Sequence, residues 1–197
     1  MQNSVVPGLN FGFNTAEKKE LVAANRLSLL SHLRLDPGWV AYADQVHSNR
    51  VQTVAEGGTY PSTDGLVTTI PGLTLGIQVA DCAAVLLADV QNGVVAALHA
   101  GWRGAVGDIV PRGIAVMTEQ GAHPDNIVAF VSPCISLKNF EVGAEVAEQF
   151  PPEFVDWEQY EKPHIDLKGF LRYQMQEAGI AEQQIEISAQ CTIEENG

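Results

Sequence analysis

Three side chains able to bind a borderline metal ion, His47, Cys82 and His99, stand where apolar stretches give way to polar ones. They are 35 and 17 residues apart along the chain, too far for a zinc-finger loop, so what groups them is position. Each falls at the end of an expected strand, where sites form in sheets that carry helices. Two neutral imidazoles and a thiolate give a tetrahedral Zn2+ three protein ligands and leave a fourth position open, the pattern of a catalytic rather than a structural site. Copper accepts the same ligands. The same atoms suit a different chemistry, in which Cys82 is a nucleophile, His99 or His47 its base, and the adjacent Asp81 orients the imidazole. Residue type alone leaves both open, together with a reading in which the thiol and the imidazoles simply pack.

The stretch His99-Ala-Gly-Trp-Arg-Gly104 adds recognition groups. Arg103 precedes a helix expected from about Asp108 and offers a guanidinium, beside backbone N–H groups, for phosphate or carboxylate. Gly101 and Gly104 allow close backbone approach. Trp102 presents an indole for stacking on a base, with core packing as the alternative. Gln45, two residues before His47, is a further candidate substrate contact. Asp64 and Asp81 are the candidate proton-transfer carboxylates, and either is equally a turn residue. Cys134 and Cys191 read as packing residues, and His32, His123 and His164 as solvated ones.

With 46% hydrophobic and 18% charged residues, the 197-residue chain is expected to form one globular domain with a sizeable core. Its 24 acidic against 11 basic residues, a net charge of −13, disfavour nucleic acid, because counterion release needs a basic surface. A small anion can still bind where an arginine is focused. No apolar run approaches the roughly 18 residues of a membrane helix. The start, MQNSVVPGLNF, lacks the basic and continuous apolar regions of a secretory signal, so the cytoplasm is the expected compartment. Three cysteines without a CxxC pair argue against a disulfide framework.

Periodicity supplies the elements that must position these groups. Thr15 is the expected N-cap of a helix reaching about Leu33, with Val22, Arg26, Leu29 and Leu33 on one face, and Asp36-Pro-Gly38 stops it. Residues 39–46 are expected as a strand partnered by 51–54, with a loop at 56–59. Segments 65–70, 74–80, 83–88 and 93–98 read as strands, the last two apolar enough for cover on both faces. A helix is expected over 108–120, with Pro111 in its first turn and Gly121 as its stop. A strand at 127–131 and a helix at 141–150 follow. Asp166 caps a last helix with Leu167, Phe170, Leu171 and Met175 on one side, and 185–188 is a final strand. The pattern reads as one α/β domain.

The motifs in order are more specific than any one of them. Gln45-Val-His47, Asp64-Gly-Leu-Val-Thr68, Ala80-Asp-Cys82, His99-Ala-Gly-Trp-Arg-Gly104, Ser132-Pro-Cys-Ile135 with Phe140-Glu-Val-Gly143, Asp166-Leu167 and Cys191-Thr192 follow one another. From about Leu9 to Thr192 the chain resembles the laccase-domain family, whose members are named polyphenol oxidase, purine nucleoside phosphorylase or peptidoglycan editing factor. The resemblance implies a single α+β domain over residues 1–197, with mixed β-sheets flanked by helices, similar to the catalytic domain of the cytotoxic necrotizing factor toxins. It implies that His47, Cys82 and His99 bind a metal and that Arg103 belongs to the substrate pocket. The implied activity is that of a zinc-dependent purine nucleoside phosphorylase with adenosine deaminase activity, taking a nucleoside and phosphate. The alternatives are a copper polyphenol oxidase, a cysteine hydrolase acting on cell-wall precursors and a metal-stabilised binding module. Relatives open with a Gly-Phe-Ser-Thr-Arg strand and a Gly-Gly turn that do not occur before Leu9. They continue past Cys-Thr into a segment rich in Phe, Ser and paired Arg, where this chain ends at Asn196-Gly197. Either those segments lie outside this sequence or this member has lost them, and the second anion contact that their arginines add in relatives is open with them. Leu171 also stands where relatives tend to have Asn.

Overall fold

The computed structural model describes residues 10–13 and 15–194. The expectations about the first nine residues and the last three lie outside the described residues. Helix α1 (Lys19–His32) is followed by strands β1 (Val40–Ala43), β2 (Val51–Thr53), β3 (Gly58–Tyr60), β4 (Gly65–Thr68), β5 (Thr74–Gly76), β6 (Ala83–Asp89) and β7 (Val94–Ala100). Helices α2 (Trp102–Val106) and α3 (Ile109–Glu119) lead into β8 (Ile127–Val131) and α4 (Ala144–Ala147). The short strands β9 (Val155–Asp156) and β10 (His164–Ile165), helix α5 (Leu167–Glu177) and β11 (Ile185–Ile187) complete the order.

Six strands make the main sheet in the order β11-β8-β6-β7-β4-β2. Its centre is antiparallel, since β6 pairs with both β7 and β8, and β7 with β4. The outer pairs β11–β8 and β4–β2 are parallel. The antiparallel centre follows from chain length between strands. Residues 90–93 are too few for a crossover, and Asp89 accepts from the backbone and side chain of Asn92 to close the β6–β7 hairpin. The domain is therefore α+β with mixed sheets, as the resemblance implies, rather than the α/β arrangement that periodicity suggests.

One face of this sheet carries α3 and α5. On α3, Ile109, Val110, Gly113, Ile114 and Met117 are buried, a stripe at helical spacing against Leu98 and Val67 of the sheet. On α5, Asp166 caps the helix by accepting from Gly169 N, and Leu167, Phe170, Leu171 and Met175 are buried, both as expected. Burying each such Leu, Ile or Met contributes about 1.5–3 kcal/mol, so this layer supplies much of the stability that holds the sheet edge in place.

The opposite face is half covered. A small all-parallel sheet in the order β3-β1-β5 packs on β4 through Ala41, Ala43, Leu66 and Leu73. The remainder is an open groove of about 570 Å³ lined in part by Leu86, Val95 and Val128, which are 44%, 37% and 48% exposed. Cover on both faces of β6 and β7, the expectation from their apolar runs, is thus not what the fold provides.

Other expectations are corrected by tertiary contacts. Residues 51–53 pair with β4, while β1 pairs with β5 and with β3, which lies in the segment read as a loop. Helix α1 is capped at Lys18, and the Thr15 hydroxyl instead bonds Asn10 and Gly12. Its inner face is Val22 and Leu30 with a half-buried Arg26, whereas Leu29 and Leu33 are exposed. Residues 141–150 are helical only over α4, because Glu141 is held in a β-bridge with His164. Among the described residues no helix is long and apolar enough to cross a membrane.

Candidate metal centre

The antiparallel ladder sets Asp64 before β4, Cys82 before β6 and His99 near the end of β7 on one edge of the main sheet. Gly65 is paired with Leu98 and Ala83 with Ala100, so these positions are neighbours by register. His47 reaches the same place from the loop after β1. That loop is held by Gln45, whose Nε2 donates to Gln78 O at 2.7 Å and whose Oε1 accepts from Gln78 N at 2.8 Å. Both ends of this candidate substrate contact are engaged by backbone.

Asp64 organises the two histidines. The backbone of His47 has φ 59°, in the left-handed region that His tolerates better than most residues. The turn aims the N–H groups of Val46, His47 and Ser48 at the Asp64 carboxylate, at 3.2, 3.0 and 2.7 Å, and the Ser48 hydroxyl donates at 2.7 Å. The fifth contact is His99 Nδ1 at 2.8 Å. Asp64 is fully buried. Burial alone would raise its pKa, but the bonds from His99, Ser48 and Val46 pull it down to about 2. A carboxylate on Nδ1 leaves Nε2 of His99 for the ligand role, as with the orienting partners of metal-bound histidines elsewhere.

The ligand atoms of His47, Cys82 and His99 all lie within 4.8 Å of one another, and among the described residues they form the single group of three or more His, Cys, Asp or Glu so placed. The imidazole centroids are 4.8 Å apart at 79°. Zinc bond lengths set ligand–ligand edges of about 3.3–3.8 Å, so small side-chain rotations close the set around one ion. Burial works against protonation of His99, but its bonds to Asp64 and Cys82 prevail and raise its pKa to about 9. For His47, burial and then the neighbouring His99 lower it.

Gly101 keeps this cradle open. A Cβ there would lie 2.8 Å from Cys82 Sγ and 3.4 Å from His47 Cδ2. Gly101→Ala is expected to push the thiol aside and weaken metal binding by about 10–100-fold, the range seen when a ligand's support is disturbed. Its backbone φ of −78° suits alanine, so folding should change little. Chelator competition beside a thermal melt checks this; equal metal affinity in both proteins would refute it.

The remaining candidates surround the cluster. Arg103 is exposed on α2, a short helix that periodicity did not reveal because Asp108, at φ 66°, separates it from α3. Its guanidinium lies 4.3 Å above the Trp102 ring, and Trp102 packs partly buried against the main core. Asp81 is exposed, and its Oδ1 accepts from the Thr192 hydroxyl at 2.8 Å. The parts missed by sequence reasoning are Ser48, which no motif spacing marks, and Thr192, whose place beside Asp81 depends on the β8–β11 pairing. His164 is not solvated but 6% exposed, with Nδ1 2.8 Å from Leu137 O and its ring stacked 3.8 Å from that of Tyr160. His32 and His123 are exposed, as expected.

The family described as multi-copper polyphenol oxidoreductase laccase matches residues 1–197. The chain belongs to this family. Among other members of this laccase-domain family, a purine nucleoside phosphorylase of Corynebacterium glutamicum is 36% identical over 202 residues, covering 99% of this chain and 81% of the relative. An adenosine deaminase from an unknown prokaryotic organism is 34% identical over 184 residues, 85% of this chain and 70% of the relative. The solved structure of the hypothetical protein YfiH from Bacillus licheniformis matches with a TM-score of 0.90 at 27% identity, covering 95% of this chain and 78% of that one.

Proposed function

We propose that this chain is a zinc-dependent purine nucleoside phosphorylase with adenosine deaminase activity, acting on adenosine- and inosine-type nucleosides. The observation that carries the reading is the meeting of His47, Cys82 and His99 beside an exposed arginine, in a chain whose relatives bear those two names. His47, Cys82 and His99 would hold the zinc, which would supply Lewis acidity and lower the pKa of water at the site. Arg103, propped on Trp102, holds phosphate, which attacks the anomeric carbon of the ribose as the purine leaves. Asp81, the carboxylate open to solvent, moves protons to and from the purine. Asp64 keeps its charge and orients His99 and the turn at His47; a proton-shuttling role does not fit a fully buried group with five donors. Gln45 positions the loop of His47 through the backbone of Gln78.

A second reading rests on the Cys82 sulfur lying within 4.8 Å of a His99 ring nitrogen, a pairing that also serves a cysteine nucleophile. The family's copper name is a weaker guide, because multi-electron oxidation of phenols needs more ligands than one His-Cys-His group provides. The test is metal analysis followed by incubation with adenosine or inosine, with and without phosphate. Free base formed only with phosphate, in protein holding stoichiometric zinc, is the expected result. No turnover with zinc fully bound would overturn the proposal. Turnover by metal-free protein that Cys82→Ser abolishes would establish the thiol reading in its place.

A further inference from the structure

We propose that Cys134 and Cys191, which the reaction above does not use, form a reversible dithiol/disulfide centre beside Asp81. Both are buried free thiols and partners in an isolated parallel β-bridge, one from the loop after β8 and the other from the segment after β11. Neighbouring strands lie about 4.7–4.9 Å apart, inside the roughly 4.4–6.8 Å Cα separation that a disulfide spans. The two sulfurs are not equivalent. Cys191 Sγ accepts from Ser136 N at 3.3 Å and from Asn139 Nδ2 at 3.4 Å, two donors aimed at a sulfur that gains from carrying negative charge. Burial opposes that charge, but hydrogen bonds from the Ser136 side chain and from the backbone of Ile193, Ser136 and Glu194 lower the Cys191 pKa to about 6. Cys134 has no such support, and burial raises its pKa to about 11. One thiol is built to attack and the other to resolve.

The oxidant is hydrogen peroxide. The Cys191 thiolate attacks a peroxide oxygen, the O–O bond breaks, and hydroxide leaves as water after taking a proton, giving a sulfenic acid. The Cys134 sulfur then attacks the Cys191 sulfur, the S–S bond forms, the S–O bond breaks, and a second water leaves with the Cys134 proton. Two thiols are oxidised by two electrons and one peroxide is reduced. Access comes from local opening, because Cys191 lies in a segment whose neighbours Gln190, Ile193 and Glu194 are exposed and which, among the described residues, has one isolated β-bridge beyond β11 rather than a ladder. Both arms of the bridge hold Asp81, since Ile135 N donates to its backbone carbonyl at 2.9 Å and the Thr192 hydroxyl to its Oδ1 at 2.8 Å. Closing the disulfide tightens that clamp next to Cys82.

The inference is independent of which substrate the site takes. Fully reduced, zinc-loaded protein is treated with hydrogen peroxide, alkylated, and mapped by mass spectrometry without reduction. The expected product is a Cys134–Cys191 linked peptide lacking two hydrogens and restored by a thiol reductant, with titratable thiols in denaturant falling from three to one. In Cys134→Ala the link is lost and a sulfenic-acid probe labels Cys191. Linkage through Cys82, oxygenation of Cys191 without linkage, or a Cys191 that stays reduced would each overturn the proposal.

Discussion

His99→Ala is expected to yield a folded protein that no longer retains zinc through chelation and has lost measurable nucleoside turnover. His99 is 3% exposed, and its Nδ1 is held by Asp64, so its ring is a preset ligand rather than a recruited one. Losing an orienting partner costs a metal site about 10–100-fold in affinity, and losing the ligand itself should exceed that. Two ligands from a tetrahedral set of three cannot hold the ion against a competing chelator. Folding should survive, because Asp64 keeps four of its five donors. Elemental analysis after dialysis, circular dichroism and the phosphate-dependent assay read the three parts separately. A variant that keeps stoichiometric zinc would remove His99 from the ligand set.

The local rules of helices and motifs made part of this site readable in advance. The Asp166 cap and the apolar stripe of α5 follow from residue type at fixed spacing, and the grouping of His47, Cys82 and His99 from their places at the ends of expected strands. The role of Asp64 did not follow. Whether a carboxylate before a strand faces water or five donors depends on a left-handed turn at residue 47, and nothing in Gln-Val-His-Ser announces φ 59°. Strand pairing was the weaker half for a related reason. Residues 51–53 are as compatible with β1 as with β4, and the choice lies in packing Leu66 against Ala41 and Ala43. The short helix at Arg103 was hidden because a break at Asp108 looks, in one dimension, like the start of a single helix.

Asp64→Ala is expected to be the most destabilising single change near the site. It leaves three backbone N–H groups, the Ser48 hydroxyl and the His99 imidazole facing a void. Removing one partner of a buried charged network costs about 3–5 kcal/mol. For a domain of this size that is a fall of roughly 6–20 °C in melting temperature. Without its carboxylate the turn at His47 also loses the contacts that stabilise a left-handed residue. Zinc should therefore bind more weakly as well, by at least about 10-fold. Asp64→Asn should fall between the two proteins, because one oxygen still accepts while the new amide opposes a donor. Thermal unfolding with and without zinc measures both effects; a melting temperature unchanged in Asp64→Ala would show that the network carries no stability.

The ladder register beside Cys82 and His99 bears on how an ion would enter and leave. Their flanking residues are paired across β6 and β7, the central strands of the sheet, so separating these two ligands requires the domain's cooperative unit to open. His47 belongs to a loop tied down by a carboxylate and a glutamine, and such a loop opens below the global threshold. Amide exchange should therefore be slow at positions 84 and 99 and faster at 46 to 48. On that footing the exchange rate of the metal is set by a three-residue turn, while its resting affinity is set by the sheet.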